Sequence, residues 1–398
     1  MPQLRVAVVG GRLQGIEAAY LCSKADLVTV LIDSDSNPPA KGLSDEFHQI
    51  DIVAKPAKAK HALRGCDAVL PANENRTTLL VLQKLCHELQ IPFMQDNEAF
   101  WITSDKIESM KFFRKCRIPT PETWPRSGFP VIVKPSCKSG SESVYRADNQ
   151  RQLKNTLEIV RGVDSNPVVQ EFIQGPALSL EVISRKGVGQ PLQVTGLEFD
   201  EKYSCKRVYA PADVPSRVQE RMKMIGMEIV LNLRLNGLID VQALLKGRTP
   251  RVNEMNARLP SQTPSVVYQS TKINMAELLI GLFLEDRMAP VAHSVTHSQR
   301  AVVYQHVKIL GNELRVQGEH VMADASGLRL EKDFLGADEA ITNLELGADP
   351  NNRVATLIVK SHDLASASKK MKEAVVNIIR ECSLDRYADP SPARGYKS

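Results

Sequence analysis

Val252-Asn253-Glu254-Met255-Asn256-Ala257-Arg258-Leu259-Pro260-Ser261 sets an acid, an amide and a cation at every second residue. Alternate side chains of a β-strand share a face, so Glu254, Asn256 and Arg258 converge on one point. A carboxylate and an amide oxygen suit a hard cation such as Mg²⁺, and a guanidinium suits the phosphate that such a cation carries. Upstream, Leu238-Ile239-Asp240-Val241-Gln242-Ala243-Leu244-Leu245 reads as a strand with one acid in an apolar run, and Lys246-Gly247-Arg248-Thr249-Pro250 is turn chemistry. A hairpin centred near Gly247 is expected to set Asp240 opposite Glu254, with Cβ atoms roughly 5 Å apart. Two carboxylates that close repel each other unless a cation sits between them. The alternative, a solvated hairpin face, sits poorly with the apolar flanks Ile239 and Val241.

Around this hairpin the composition is that of an ordinary globular protein. A chain of 398 residues has room for two or three domains. Its net charge of +5 is too mild and too evenly spread for a nucleic-acid binder. Aromatic residues make up only 5%, which argues against a stacking platform for single strands. The seven cysteines are odd in number and form no Cys-x-x-Cys pair, as expected of free thiols in a reducing cytoplasm. Met1 leads straight into a strand and no apolar run reaches about 18 residues, so neither a signal peptide nor a membrane span is expected, and the predicted location is cytoplasmic.

The fold class read from the pattern is mixed α/β and α+β. Strands at Leu4–Val9, Leu27–Ile32 and Ala68–Pro71 alternate with helical stretches, which predicts a parallel sheet covered by helices over residues 1–97. Residues 98–175 are expected to form a central subdomain with a helix over Asp105–Cys116, capped by Ser104 or Thr103, and strands at 129–134 and 167–173. Residues 176–384 are expected to form a β-rich lobe around the 240/254 hairpin, with a long helix at Ser216–Leu233 and a closing helix near 363–382. The polar segment 385–398 is expected to be a disordered tail.

Val8-Val9-Gly10-Gly11-Arg12-Leu13-Gln14-Gly15 follows a strand and opens a helix, but Arg12 stands where a dinucleotide fingerprint needs its middle glycine. Asp33 ends the second strand as a ribose-binding acid would, so a nicotinamide oxidoreductase remains an alternative on this domain alone. Lys106 lies in the first turn of its helix, against the helix dipole, which makes sense if its amine reaches a phosphate. Lys134 ends an apolar strand before Pro135-Ser136-Cys137-Lys138-Ser139-Gly140-Ser141, a short Ser/Gly loop able to lay N–H groups over phosphates. The strand edge Gln170-Glu171-Phe172-Ile173 suits an adenine. Glu181, between Leu180 and Val182, needs a metal, an amine or an arginine as partner.

Lys106, Lys134-Pro135, Gln170 to Ile173, Asp240 and the Glu254-x-Asn256-x-Arg258 strand together resemble the ATP-grasp superfamily of carboxylate–amine ligases. The resemblance implies an ATP-grasp fold, with an N-terminal Rossmann-like domain and a C-terminal β-rich lobe. Gly11 to Tyr20, Leu70 to Asn75, Ser179 to Ile183 and Ala257 to Pro264 further resemble the ligases of pyrrolysine biosynthesis, which join 3-methyl-D-ornithine or D-ornithine to L-lysine. The resemblance implies ATP and Mg²⁺ as cofactors, small amino acids as the only partners besides a homodimer mate, and an acyl-phosphate route. Asp240, Glu254 and Asn256 would then ligate the metal. Lys106, Lys134, Ser139, residues 170–173, Arg12 and Asp33 would bind ATP, and Lys134 and Arg258 would be catalytic. Leu13, Gln14 and Glu74 would hold L-lysine. Glu181, Arg258, Pro260, Ser261, Gln262 and Thr263 would hold the ornithine-type acid. The rivals are a ligase resembling carboxyaminoimidazole synthetases or D-alanine ligases, and a non-catalytic ATP sensor.

Overall fold

The computed structural model describes residues 3–138, 140, 143–288, 300–345, 347 and 351–392. Its N-terminal unit is a parallel sheet in the order Glu46–Gln49, Val28–Asp33, Arg5–Val9, Ala68–Pro71. Val6 to Val9 are buried throughout because helices cover both faces of the sheet, which is why this strand is a continuous apolar run and does not alternate. After it the chain turns sharply at Gly10, whose φ is +110°, and a Cβ there would meet the Ala72 carbonyl oxygen at 2.4 Å. Only glycine allows that approach.

Two helices lead out of this unit. Asn97–Thr103 went unread in the sequence; at seven residues it is too short for an apolar stripe, and its one local signal is Asp96, whose carboxylate accepts from the Ala99 N–H. Lys106–Lys115 forms as expected, but its cap is Asp105, not Ser104 or Thr103. The Thr103 hydroxyl instead accepts from the Ala257 N–H at 3.0 Å, tying this helix pair to the end of the 249–256 strand. Next comes a small antiparallel sheet, Tyr145–Ala147, Val131–Lys134 and Val168–Glu171, backed by the helix Gln150–Arg161 through Leu153 and Val160.

The rest is one large antiparallel sheet. Its path runs Thr249–Asn256, Gly237–Lys246, Ala177–Arg185, Val188–Phe199, Cys205–Ala210, Ala301–Leu310, Val354–Ser361, Glu339–Thr342, Arg329–Lys332. The helix Ser216–Leu233 covers one stretch of it through Met222, Ile225 and Ile229, and the helix Leu364–Glu381 covers another through Met371, Ala374 and Ile378. The N-terminal unit is latched to this sheet by buried polar contacts. Glu17 accepts from the Ser265 N–H and hydroxyl and from the Tyr304 hydroxyl, and Tyr20 donates to Glu339, which also pairs with Lys24. Among the described residues no helix is long and apolar enough to cross a membrane.

The expected disordered tail is corrected at its start. Arg386–Ala388 is a strand that pairs in parallel with Glu313–Val316. Asp389 then pairs with Lys206 and Arg207, and the almost wholly buried Lys206 ammonium also binds the Pro390 carbonyl and the Ser391 hydroxyl. A buried lysine needs such acceptors, and here the polar tail supplies them. Residues 393–398 lie outside the described residues.

Candidate active site

The hairpin forms, with a different register from the one expected. Asn256, not Glu254, stands opposite Asp240, and Gln242 stands opposite Glu254. Near the turn the ladder runs Leu245 to Pro250 and Ala243 to Val252; continued unbroken, it would place Met255 opposite Asp240. A bulge at Asn253 adds one residue and turns Glu254 and Asn256 onto the face of Asp240. On the other side Asp240 pairs with Glu181, and Gln242 with Ser179. Glu181, Asp240 and Asn256 therefore form one row across three strands, with Ser179, Gln242 and Glu254 as the next.

The bulge also has a chemical use. Lys134 Nζ, reaching from the small sheet, donates to the Asn253 carbonyl at 3.2 Å. Burial pushes the Lys134 ammonium down to about 8, against the Glu254 charge and with Lys106. Lys106 Nζ lies 3.6 Å from Glu254 and donates to the Lys138 carbonyl. Burial opposes ionisation of Glu254, but Lys106, Lys134 and Arg258 together outweigh it and hold the carboxyl below its ordinary value. Asp240 is raised by burial, with Arg258 opposing. Glu181 is raised by burial first and by the Asp240 charge second. The single Ser179 hydroxyl lies 2.7 Å from Asp240 and 3.0 Å from Glu181 and can donate to only one of them, and the Thr263 hydroxyl is a second side chain that favours the Glu181 carboxylate.

Two cavities meet at this row. The first, of about 380 Å³, lies between the Gly10–Gln14 turn and the 258–263 turn. The second, of about 500 Å³, lies between the small sheet and the large one. Gln242, Glu254, Leu197 and Phe199 border both. Among the described lining residues of the first cavity, Asp33, Glu74, Asp240, Glu254 and Glu319 face only Arg12 and Arg258 as cations. Such a cavity suits cationic ligands.

The nucleotide candidates Lys106, Lys134 and Gln170 to Ile173 line the second cavity. Arg12 and Asp33 do not join them. They line the first cavity, and the Asp33 carboxylate is taken by the Gly11 N–H at 2.6 Å and the Asp35 N–H, so it serves its own turn. Ser139 lies outside the described residues. Leu13, Gln14, Glu74, Arg258, Pro260, Ser261 and Thr263 all line the first cavity. Glu74 Oε1 accepts from Arg258 Nε and from the Gln14 amide, both at 2.9 Å. Arg258 Nη1 lies 3.5 Å from Asp240 and has no hydrogen-bond partner. Glu181 sits behind the cavity wall. Gln262 borders the cavity, but its amide donates to the Cys205 carbonyl and meets His306, so it shapes the turn at a φ of +77° and does not offer its amide to a ligand. Gln242 and Glu319 went unread: Gln242 shares its face with Asp240 two residues on, a signal present in the sequence, whereas Glu319 follows Ser261 by 58 residues in a stretch without periodicity.

Asp240, Glu254 and Asn256 offer two carboxylates and an amide oxygen. Among the described residues no three acidic, histidine or cysteine side chains form a ready cage. Magnesium needs none, since it keeps waters and phosphate oxygens and takes one or two carboxylates from protein. Glu181 and Asp240 stand opposite each other and the Asp240 charge raises the Glu181 carboxyl, a repulsion that a cation at the row would relieve. The donor set fits the ion.

A small sheet closing two lysines over a three-strand acid row is the arrangement of an ATP-grasp protein, and the family model described as the ATP-grasp domain matches residues 103–262. Solved structures agree at the level of fold. The biotin carboxylase domain of Hydrogenobacter thermophilus 2-oxoglutarate carboxylase, determined with MgADP, superposes with a TM-score of 0.73 at 15% identity, covering 94% of this chain and 89% of that one. An L-amino acid ligase from Bacillus licheniformis does so with a TM-score of 0.66 at 17% identity, covering 94% and 98%. Sequence relatives go further. The 3-methyl-D-ornithine–L-lysine ligase of Methanosarcina acetivorans is 32% identical over 93% of this chain and 96% of its own length, and that of Methanosarcina barkeri is 32% identical over 81% and 84%. The chain belongs to the ATP-grasp ligases and, within them, to the family of these Methanosarcina enzymes.

Proposed function

We propose that this protein is an ATP-dependent carbon–nitrogen ligase that joins the carboxylate of 3-methyl-D-ornithine, or of D-ornithine, to the ε-amine of L-lysine. The observation that carries this reading is the shared wall at Glu254 and Gln242. It brings a cavity suited to a nucleotide and an acid-lined cavity suited to diamino acids to one point.

In the first step a carboxylate oxygen of the ornithine-type acid attacks the γ-phosphorus of ATP, forming an acyl phosphate and releasing ADP. Lys106 and Lys134 hold the phosphates from the small-sheet side. Arg258, fixed by Glu74, presents its unpaired Nη1 where two anions must approach each other. Magnesium, held by Asp240, Glu254 and Asn256, would offset charge on the phosphate oxygens. In the second step the lysine ε-amine attacks the acyl carbon and phosphate leaves, giving the amide. That amine, with an ordinary pKa of about 10.4, must first lose its proton. Glu74, on the Gln14 side of the cavity, positions it. Mass spectrometry of the products from ATP, L-lysine and D-ornithine or 3-methyl-D-ornithine tests the reading. It expects the ornithyl-lysine amide with stoichiometric ADP. ADP release without an amide, or no dependence on lysine, would overturn it.

A further inference from the structure

Among the acids that face the first cavity, Asp33 and Glu319 have no ion pair among the described residues, and Asp33 is taken up by the backbone N–H groups of Gly11 and Asp35. Glu74 and Asp240 lie beside Arg258, and Glu254 beside Lys106. Glu319 has no cation within ion-pair distance among the described residues; its one hydrogen bond comes from a neutral donor, the Ser261 hydroxyl at 2.7 Å. Its backbone is held firmly. The Glu319 N–H donates to the Cys205 carbonyl at 2.9 Å and the preceding Gly318 N–H to Asp200 at 2.9 Å. Gly318 packs so closely that a Cβ would meet the Ser204 side chain at 2.2 Å. The carboxyl group is thus fixed at the cavity wall, where burial opposes its ionisation and the Arg258 charge favours it without an ion pair, so an ammonium beside it would complete the site.

We propose that Glu319 receives an ammonium group of the amino acid whose carboxylate is activated at Arg258, and so determines specificity for that substrate. The assignment rests on the ligase reading above. The Ser261 hydrogen bond ties Glu319 to the 258–263 turn, and Glu319 lines the same cavity as Gln14 and Glu74. It is a positioning carboxylate with no part in the proton transfers.

Steady-state kinetics of Glu319→Gln against wild type, with ornithine, lysine and ATP varied in turn, test it. The expected result is a rise of about tenfold or more in KM for the ornithine-type acid, with the KM values for lysine and ATP within about twofold. Glu319→Asp, which keeps the charge but withdraws it by one methylene, should fall between them. Two analogues identify the ammonium held: D-norvaline lacks the side-chain amine and 5-aminopentanoate the α-amine. For the analogue lacking the recognised amine, wild type and Glu319→Gln should perform alike. Equal KM for ornithine in wild type and variant, or a rise confined to lysine, overturns the assignment. If Glu319→Gln does not fold, the Glu319→Asp series and the two analogues on wild type decide it: an undiminished kcat/KM for both analogues counts against it. Absence of any amide from wild type is a separate result, and defeats the ligase reading instead.

Discussion

Asp240 and Asn256 face each other across the Gly237–Lys246 and Thr249–Asn256 strands only because one residue, Asn253, bulges out of the ladder between them and the turn. The same bulge exposes the carbonyl that anchors Lys134. One irregularity thus sets the register of the acid row and fixes a lysine from another sheet beside it. Bulges next to active sites commonly re-aim side chains in this way.

Glu254 borders both cavities and is held ionised by three cations. Glu254→Ala should lower ATP turnover by about a hundredfold or more, measured as ADP release. Near wild-type ADP release would remove Glu254 from the metal and phosphate site.

Glu74 ties Arg258 to Gln14. Glu74→Gln should raise the KM for lysine by about tenfold while leaving that for ATP within about twofold. Because the same oxygen orients Arg258, kcat should fall as well. An unchanged lysine KM would place the acceptor amine elsewhere.

Burial leaves the Lys134 ammonium titrating near 8, below its ordinary 10.5. The charged form is the one that binds phosphate, so ATP affinity of the free protein should fall as pH rises through that value. Calorimetric ATP titrations between pH 6.5 and 9 check this, with Lys134→Met as the control whose affinity is weaker and flatter with pH. The linkage to folding has the opposite sense. Between about 8 and 10.5 the unfolded lysine holds a proton that the folded one has lost, so this group adds stability as pH rises through that window. A wild-type affinity as flat as that of Lys134→Met would exclude the role.

Glu17 latches the N-terminal unit to the helix Thr263–Thr271, and burial raises its carboxyl from 4.5 to about 7. Across that interval the folded protein keeps a proton that the unfolded chain has released. Its contribution to stability should therefore decline as pH rises from 4.5 to 7. Urea unfolding at several pH values should show this decline in wild type and its absence in Glu17→Gln. Parallel curves for the two proteins would refute the assignment.

Much of this site is legible in the sequence. The alternation of Glu254, Asn256 and Arg258, the strand lysine Lys134 and the helix-start lysine Lys106 are local patterns, each set by the two-residue period of a strand or the first turn of a helix. The βαβ order at the N-terminus and the Ser216–Leu233 helix were legible for the same reason. Asn97–Thr103 was not, because seven residues carry too little periodicity.

The sequence by itself determined which side chains could share a face, since that depends on spacing along one strand. It could not determine which strand lies beside which, nor where a ladder slips by one residue. Those are settled by packing between segments far apart in the chain. Only the tertiary structure therefore put Asn256 opposite Asp240, moved Arg12 and Asp33 out of the nucleotide cavity, drew the 386–392 segment onto Lys206, and carried Glu319 to Ser261.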